Sequence, residues 1–431
     1  MLLRFKIKNF LSFYEETVFD MFPNIKREKF SHHIYTDMDI PLLKQAAIYG
    51  ANGSGKSNFI KAISFLRDFV LHDNFLNKID LDDYIFQLAK EKKEKISFEI
   101  EIFFNEKYYL YVVGIDKKEI SEKLSVSGLN KTDDKLIFER QGANICSTYL
   151  INESSVKQLL SLNPQSSILP LNLRFPVLDN DAPKAICNWF SKQLEVVDIN
   201  RRSYSLLDLF SQQPLLKFAN EVIENIDIGI NSLNIGNTPL DKWVTNKIYA
   251  EQLQDILAQK GKQKLGAYMN GRDYIRISDQ NGVKTVQELL FNQMGQKGYC
   301  KEMNILTQSD GTVNLLTLLP ALFVAIYQGK CVFVDEIDNS IHPNLMFELL
   351  RFYANNKTNG QLIFTTHTTK LLNQHELVRP DEIWLTEKTE GNTRMYSLND
   401  FKLHNTLNIE NGYLDGRYGG VPVIDEINAD I

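Results

Sequence analysis

The sequence predicts an α/β protein: a mixed sheet flanked by helices, with an antiparallel β subdomain and an inserted helical domain. Three observations lead there. Residues 42 to 50, "LLKQAAIYG", read as a buried strand that runs straight into a glycine-rich turn, and a helix is expected from about Ser57 to Val70. From 305 to 390, helical patterns alternate with the apolar strands "KCVFVD" and "GQLIFTTH", as a parallel sheet with helical crossovers requires. From Ile96 the pattern changes to hairpins, "ISFEIEIFF", a turn at Asn105 to Lys107, then "YYLYVVGID".

In chain order, residues 1 to 20 read as a strand pair with Leu3, Phe5 and Ile7 on one face. Further short strands are expected near 136 to 151, closing an amino-terminal lobe over 1–150. Residues 151–295 form the insert, with helices expected at 183 to 193, 204 to 225 and 247 to 260 and a hairpin "YIRISDQNGVKTV" about an Asn-Gly turn. Residues 296–431 return to the α/β pattern. Neither sustained heptads nor an internal repeat is found, so no coiled-coil arm is expected.

Composition narrows the class. The 431 residues are 43% hydrophobic and 24% charged, an ordinary globular balance that excludes disorder. Forty-eight basic and 54 acidic residues give a net charge of −6, so no overall basic excess points to nucleic acid. Cys146, Cys187, Cys300 and Cys331 are far apart without a CxxC pair, which argues against a zinc site or a disulfide scaffold and fits a reducing cytoplasm. The apolar-rich run Leu315 to Tyr327 is short for a bilayer and contains Pro320, and the start lacks a signal-peptide core, so a soluble protein is expected.

The turn after the first buried strand carries the chemistry. "GANGSGKS", Gly50 to Ser57, fits the phosphate-binding spacing GxxxxGK[ST]. Its glycines let backbone N–H groups turn toward phosphate oxygens, and the helix behind presents its positive end. Gly50, Asn52, Gly53, Ser54, Gly55, Lys56, Ser57 and Asn58 are the expected nucleotide contacts, with Lys56 reaching the β and γ phosphates and Ser57 ligating Mg²⁺. Downstream, "CVFVDEIDNSIHP" ends an apolar strand on Asp335-Glu336, which places one carboxylate at a metal and the next beside an attacking water as general base. ATP and Mg²⁺ are therefore the expected cofactors.

Asp335-Glu336, then Asp338 and "SIHP", then "IFTTH", resembles the Walker B, D-loop and switch-histidine succession of ABC-type ATPases, the group containing SMC, RecF and OLD-like enzymes. The resemblance implies a P-loop NTPase with an ABC-type head, and His367 as a sensor of the γ phosphate. Thr365 and Thr366 remain open between packing and function. "TQSDGTVNLLTLLPAL" just upstream resembles the signature segment, so that Ser309 and Gly311 would complete the site of a second subunit. Gln308 stands where that motif usually has leucine, and a Ser-Asp-Gly helix cap is the other reading. No Q-loop glutamine is assigned.

The opening "FKIKNFLSF" is similar to the adenine-side strand of RecF and SMC heads, and the ending "GYLDGRYGGVPVI" resembles the carboxy terminus of the AAA15 class. The whole most resembles RloA-like and abortive-infection ATPases. That resemblance implies a cytoplasmic ATPase that closes as a head-to-tail homodimer or higher oligomer and controls a nuclease-like or toxin-like effector encoded nearby, in antiviral defence. The alternative is a RecF- or SMC-like protein that binds DNA under ATP control in DNA maintenance. Basic spots at Arg201-Arg202 and in "KGKQK", 260 to 264, leave nucleic-acid contact open, whereas "KEKKEK", 90 to 95, reads as an exposed connection.

Overall fold

The computed structural model describes residues 1–90, 95–129, 133–199, 206–244, 264–269, 273–280, 283–374, 376–402 and 408–422. The chain divides into two compact units. The first is Met1–Val197, Val324–Ile337 and Phe347–Ile431, and the second is Asp198–Phe323 and Asp338–Met346.

Among the described residues the first unit contains two large sheets and the small strand pair Ile34–Tyr35 with Leu42–Leu43. In one, six described strands lie in the order Leu194–Asp198, Cys331–Asp335, Gln361–Thr365, Gln45–Gly50, Ile383–Thr389, Asn392–Ser397. Cys331–Asp335, Gln361–Thr365, Gln45–Gly50 and Ile383–Thr389 run parallel, and Asn392–Ser397 folds back antiparallel. Gln45–Gly50, Cys331–Asp335 and Gln361–Thr365 are buried at every position, which is why they read as unbroken apolar runs. The other sheet has seven described strands, from Asn144–Cys146 through Lys135–Gln141, Ile120–Val126, Lys107–Ile115, Ile96–Phe104 and Leu2–Lys8 to Thr17–Asp20. Burial alternates along Ile96–Phe104 as a one-sided sheet demands.

The helix Lys56–Leu71 packs between these sheets. Phe59 meets Phe5 and Phe19 of the antiparallel sheet at ring-centroid distances of 6.0 and 5.0 Å, and Phe333 of the parallel sheet at 6.1 Å. Its buried residues, among them Ile60, Ala62, Ile63, Leu66 and Phe69, cover more than one face. A helix apolar on several sides is stable only when enclosed, so the two sheets hold the start of this helix in place.

A buried ion pair anchors the antiparallel sheet. Arg140 Nη1 donates to Glu122 Oε2 at 2.8 Å and to the Ser166 carbonyl at 2.7 Å, and Glu122 also accepts from Tyr111, Ser167 and the Ile168 amide. Both side chains are fully buried. Removing one partner strands the other's charge in a low-dielectric core, so Arg140→Ala should destabilise the first unit by about 3 kcal/mol. Chemical denaturation would read the loss, and a change within experimental error would show that the carboxylate relaxes to water.

The second unit departs from the expected mainly helical insert. It has helices at Leu206–Phe210 and Gln213–Glu224, interrupted just before Pro214, but 230–304 carries an antiparallel sheet. Its order is Ile230–Pro239, Val283–Met294, Asp273–Gln280, Lys264–Met269, with Cys300–Asn304 also paired to Val283–Met294. "INSLNIGNTP" has little intrinsic strand preference; long pairing with Val283–Met294 decides its state. The strands of the expected hairpin pair antiparallel, with Gln280 opposite Val283, and its Asn-Gly turn lies outside the described residues. The helices Glu153–Leu162, Ile168–Arg174 and Ala182–Asn188 belong to the first unit, where Ile168, Ile186 and Trp189 join the core. The helix expected at 247 to 260 and the basic spots at 201–202 and 260–263 lie outside the described residues, as does most of 90–95. Asp310–Tyr327 is one helix of 18 residues with Pro320 inside it, long and apolar enough to cross a membrane, yet 61% of it lies inside the protein as core.

Candidate functional site

The loop Gly50 to Ser57 joins the buried strand Gln45–Gly50 to the helix Lys56–Leu71. Asn52 and Gly53 are exposed at its tip, while Ser54, Gly55 and Lys56 are buried. Lys56 Nζ donates to the carbonyls of Gly50 and Ala51 at 2.8 and 3.1 Å, which folds its side chain back along the loop. Gly55 precedes the helix at φ 114°, and a Cβ there would overlap Thr393 Oγ1, so only glycine fits.

Hydroxyl groups distant in sequence hold this loop. Ser54 Oγ and Thr386 Oγ1 are 2.6 Å apart, and Thr386 Oγ1 donates to the Tyr49 carbonyl. Thr393 Oγ1 donates to the Ser54 carbonyl and to Ser12 Oγ, both at 2.8 Å, and the Thr393 amide donates to the Ser12 carbonyl. Asn58, expected among the nucleotide contacts, directs its amide at Ser12 Oγ, 2.8 Å away. Ser12, Thr386 and Thr393 were not singled out from the sequence. Only the position of Ser12 in "FLSF" gave a local sign.

The acidic strand ends on a second hydroxyl relay. Thr365 Oγ1 donates to Asp335 Oδ1 at 2.7 Å and accepts the Glu336 amide at 2.7 Å. The Ile337 amide donates to the Thr365 carbonyl. Thr365, left open between packing and function, therefore sets both carboxylate-bearing residues. Glu336 has φ 54°, a left-handed conformation that costs a non-glycine residue on the order of 1 kcal/mol and is held by these bonds. His367 follows the same strand, Gln361–Thr365, which lies between the loop strand and the acidic strand; the Thr366 amide donates to the Ile48 carbonyl. The parallel ends of three neighbouring strands thus carry the loop, the acidic pair and the histidine, where α/β sheets place their ligands.

Metal fit can be judged from the donors. Among the described residues no cluster of three or more His, Cys, Asp or Glu can hold an ion. Ser57 and Asp335 offer one hydroxyl and one carboxylate, and one Asp335 oxygen is held by Thr365. That sparse oxygen set fits Mg²⁺, which keeps waters and takes further ligands from phosphates.

Ser309 and Gly311 belong to the second unit. Ser309 Oγ accepts the Thr312 amide at 3.1 Å, so it does cap the helix Asp310–Tyr327, and Ser309 and Asp310 are exposed there. A Cβ on Gly311 would come within 2.5 Å of the Ser340 carbonyl, and Asn314 Nδ2 donates to the Asn339 carbonyl. The signature-like helix start and the segment after Asp338 are thereby packed on one another within one unit.

The family model described as "AAA domain, putative AbiEii toxin, Type IV TA system" matches residues 46–167 and 223–373, more than half of the chain. The chain belongs to this AAA-domain family. As a member it is a nucleotide-binding P-loop protein of the ATPase kind, and the matched segments include the phosphate loop, the signature-like segment, the acidic pair and His367. Among curated proteins, none matches this chain. The solved SMC head domain from Thermotoga maritima is similar, with 13% identity and a TM-score of 0.43 over 93% of this chain and 99% of that one. An SmcHead bound to the C-winged helix domain of ScpA is similar with 15% identity and a TM-score of 0.47, again over 93% and 99%.

Proposed function

We propose that this AAA-family protein is a Mg-dependent ATPase of ABC type that binds ATP between two head-to-tail copies and uses closure and hydrolysis to control a partner effector. The observation that carries this reading is the Thr365 relay, which sets Asp335 and the strained Glu336 against the end of the strand Gln361–Thr365, itself paired with the strand that leads into the phosphate loop. Lys56 and the loop amides hold the β and γ phosphates. Asp335 and Ser57 would hold Mg²⁺, which neutralises phosphate charge when bound. Glu336 accepts the proton of the attacking water, and His367 senses the γ phosphate. The family description names a toxin–antitoxin system, which supports a toxin–antitoxin partner as the controlled effector; a nuclease-type effector, a role in antiviral defence and a cytoplasmic location are part of the same proposal and rest on the resemblance of the sequence alone. Isolation of the natively expressed protein with its bound partner tests that part directly.

The composite site is tested by mixing two variants. Ser309 lies exposed at a helix start. Lys56→Ala and Ser309→Arg should each be inactive alone, the first through its own loop and the second by pressing charge against its neighbour's site. Mixed, they form heterodimers with one intact site, and random exchange should restore about a quarter of wild-type turnover if the two-fold sites act independently. A mixture that stays inactive and shows no ATP-dependent association would remove Ser309 and Gly311 from the site. Full activity of Ser309→Arg alone would leave Ser309 as a helix cap only.

A further inference from the structure

The segment Asn408 to Gly420 has no role in the nucleotide chemistry described so far, yet it is bonded to both sides of that site. Both oxygens of Glu410 are engaged by the turn that follows His367. Oε1 accepts from Thr369 Oγ1 at 2.9 Å and Oε2 from Asn373 Nδ2 at 2.6 Å. The Glu410 amide returns a bond to Asn373 Oδ1 at 3.3 Å. Asn408 caps the short helix Ile409–Leu414 that presents Glu410, through the Asn411 amide.

Further along, Tyr413 packs edge-on against Tyr49, the last residue before the phosphate loop, with ring centroids 6.1 Å apart, and its hydroxyl donates to the Gly420 carbonyl at 2.9 Å. Tyr49 in turn donates to the Thr368 carbonyl. Tyr396 donates to the Tyr418 carbonyl at 2.8 Å. Burial pushes the Tyr413 and Tyr396 phenols up to about 12, so both stay protonated donors across the neutral range. The segment therefore runs from the turn after His367, past Tyr49, to the strand pair whose Thr386 and Thr393 hold the loop.

We infer that Glu410 is a positioning residue for His367, fixing the turn Thr369–Asn373 so that the histidine keeps its place relative to the phosphate loop. Two carboxylate bonds and one amide bond hold that turn at both its ends, beside the burial of Leu371 and Leu372 within it. The inference rests on the reading of His367 as the γ-phosphate sensor. Misplacement of a polar group by about an ångström is enough to slow a reaction by one or two orders of magnitude without touching the reactants' binding.

The test compares steady-state ATP turnover and ATP affinity in four full-length proteins: wild type, His367→Ala, Glu410→Ala and Glu410→Gln. Glu410→Ala should lower kcat about tenfold while ATP affinity stays within about twofold. Glu410→Gln keeps an acceptor for the turn and should recover most of the rate. Adding Glu410→Ala to His367→Ala should cost nothing further, because both changes remove the same contribution. Normal turnover of Glu410→Ala, a kcat loss matched by lost affinity and lowered Tm, or full additivity with His367→Ala would each overturn the assignment. If wild type does not hydrolyse ATP, or His367→Ala does so at full speed, the underlying reading of His367 fails instead, and the two failures are told apart by those controls.

Discussion

Lys56→Ala is expected to abolish nucleotide binding. The ammonium sits buried against the Gly50 and Ala51 carbonyls at the start of the helix, and in the proposed function it holds the β and γ phosphates. Charge-assisted bonds of this kind contribute about 1.5–3 kcal/mol each, and losing two of them corresponds to at least 100-fold in Kd, roughly. The fold should survive, because the helix is held by Phe59, Ile63 and Leu66 rather than by Lys56. Calorimetric titration with ATP checks the affinity, and far-UV circular dichroism checks the fold. Wild-type affinity in a folded variant would remove the loop from the nucleotide site.

Glu336→Gln should separate binding from turnover. Its backbone amide donates to Thr365 Oγ1, a bond that exchanging the carboxylate for an amide should leave in place together with the left-handed backbone. A glutamine cannot accept the water's proton, and a general base contributes about 10²–10⁴ in rate. Hydrolysis should therefore fall by at least 100-fold, roughly, while ATP stays bound and dimers accumulate. Single-turnover measurement with radiolabelled ATP distinguishes this from lost binding. Unchanged turnover would move the base elsewhere, and His367 would be the next residue to replace.

Much of the site was legible because its chemistry is local. A GxxxxGKS turn after a buried strand needs nothing distant to be recognised, since backbone N–H geometry and helix polarity are settled within eight residues. The acidic pair closing "CVFVD" and the hairpin "ISFEIEIFF…YYLYVVGID" were legible for the same reason: burial on both faces or on one leaves an unbroken or an alternating pattern. The strand Ile230–Pro239 was not, because Asn and Gly dilute the alternation in "INSLNIGNTP" and pairing with Val283–Met294 overrides it.

The hydroxyl groups that set the site left no pattern at all. A threonine or serine at a strand end looks alike whether it packs or bonds, and its partner depends on which strands become neighbours. Thr365 reaches Asp335 because Gln361–Thr365 pairs with Cys331–Asp335, and Thr393 reaches Ser12 across 381 residues because the strand Asn392–Ser397 folds back beside the loop. The nucleotide-binding chemistry of this chain is thus written in short-range backbone demands, whereas the placement of Thr365, Thr386, Thr393 and Glu410 around it follows from strand order. Strand order is a collective outcome of core packing, and no contiguous stretch of residues encodes it.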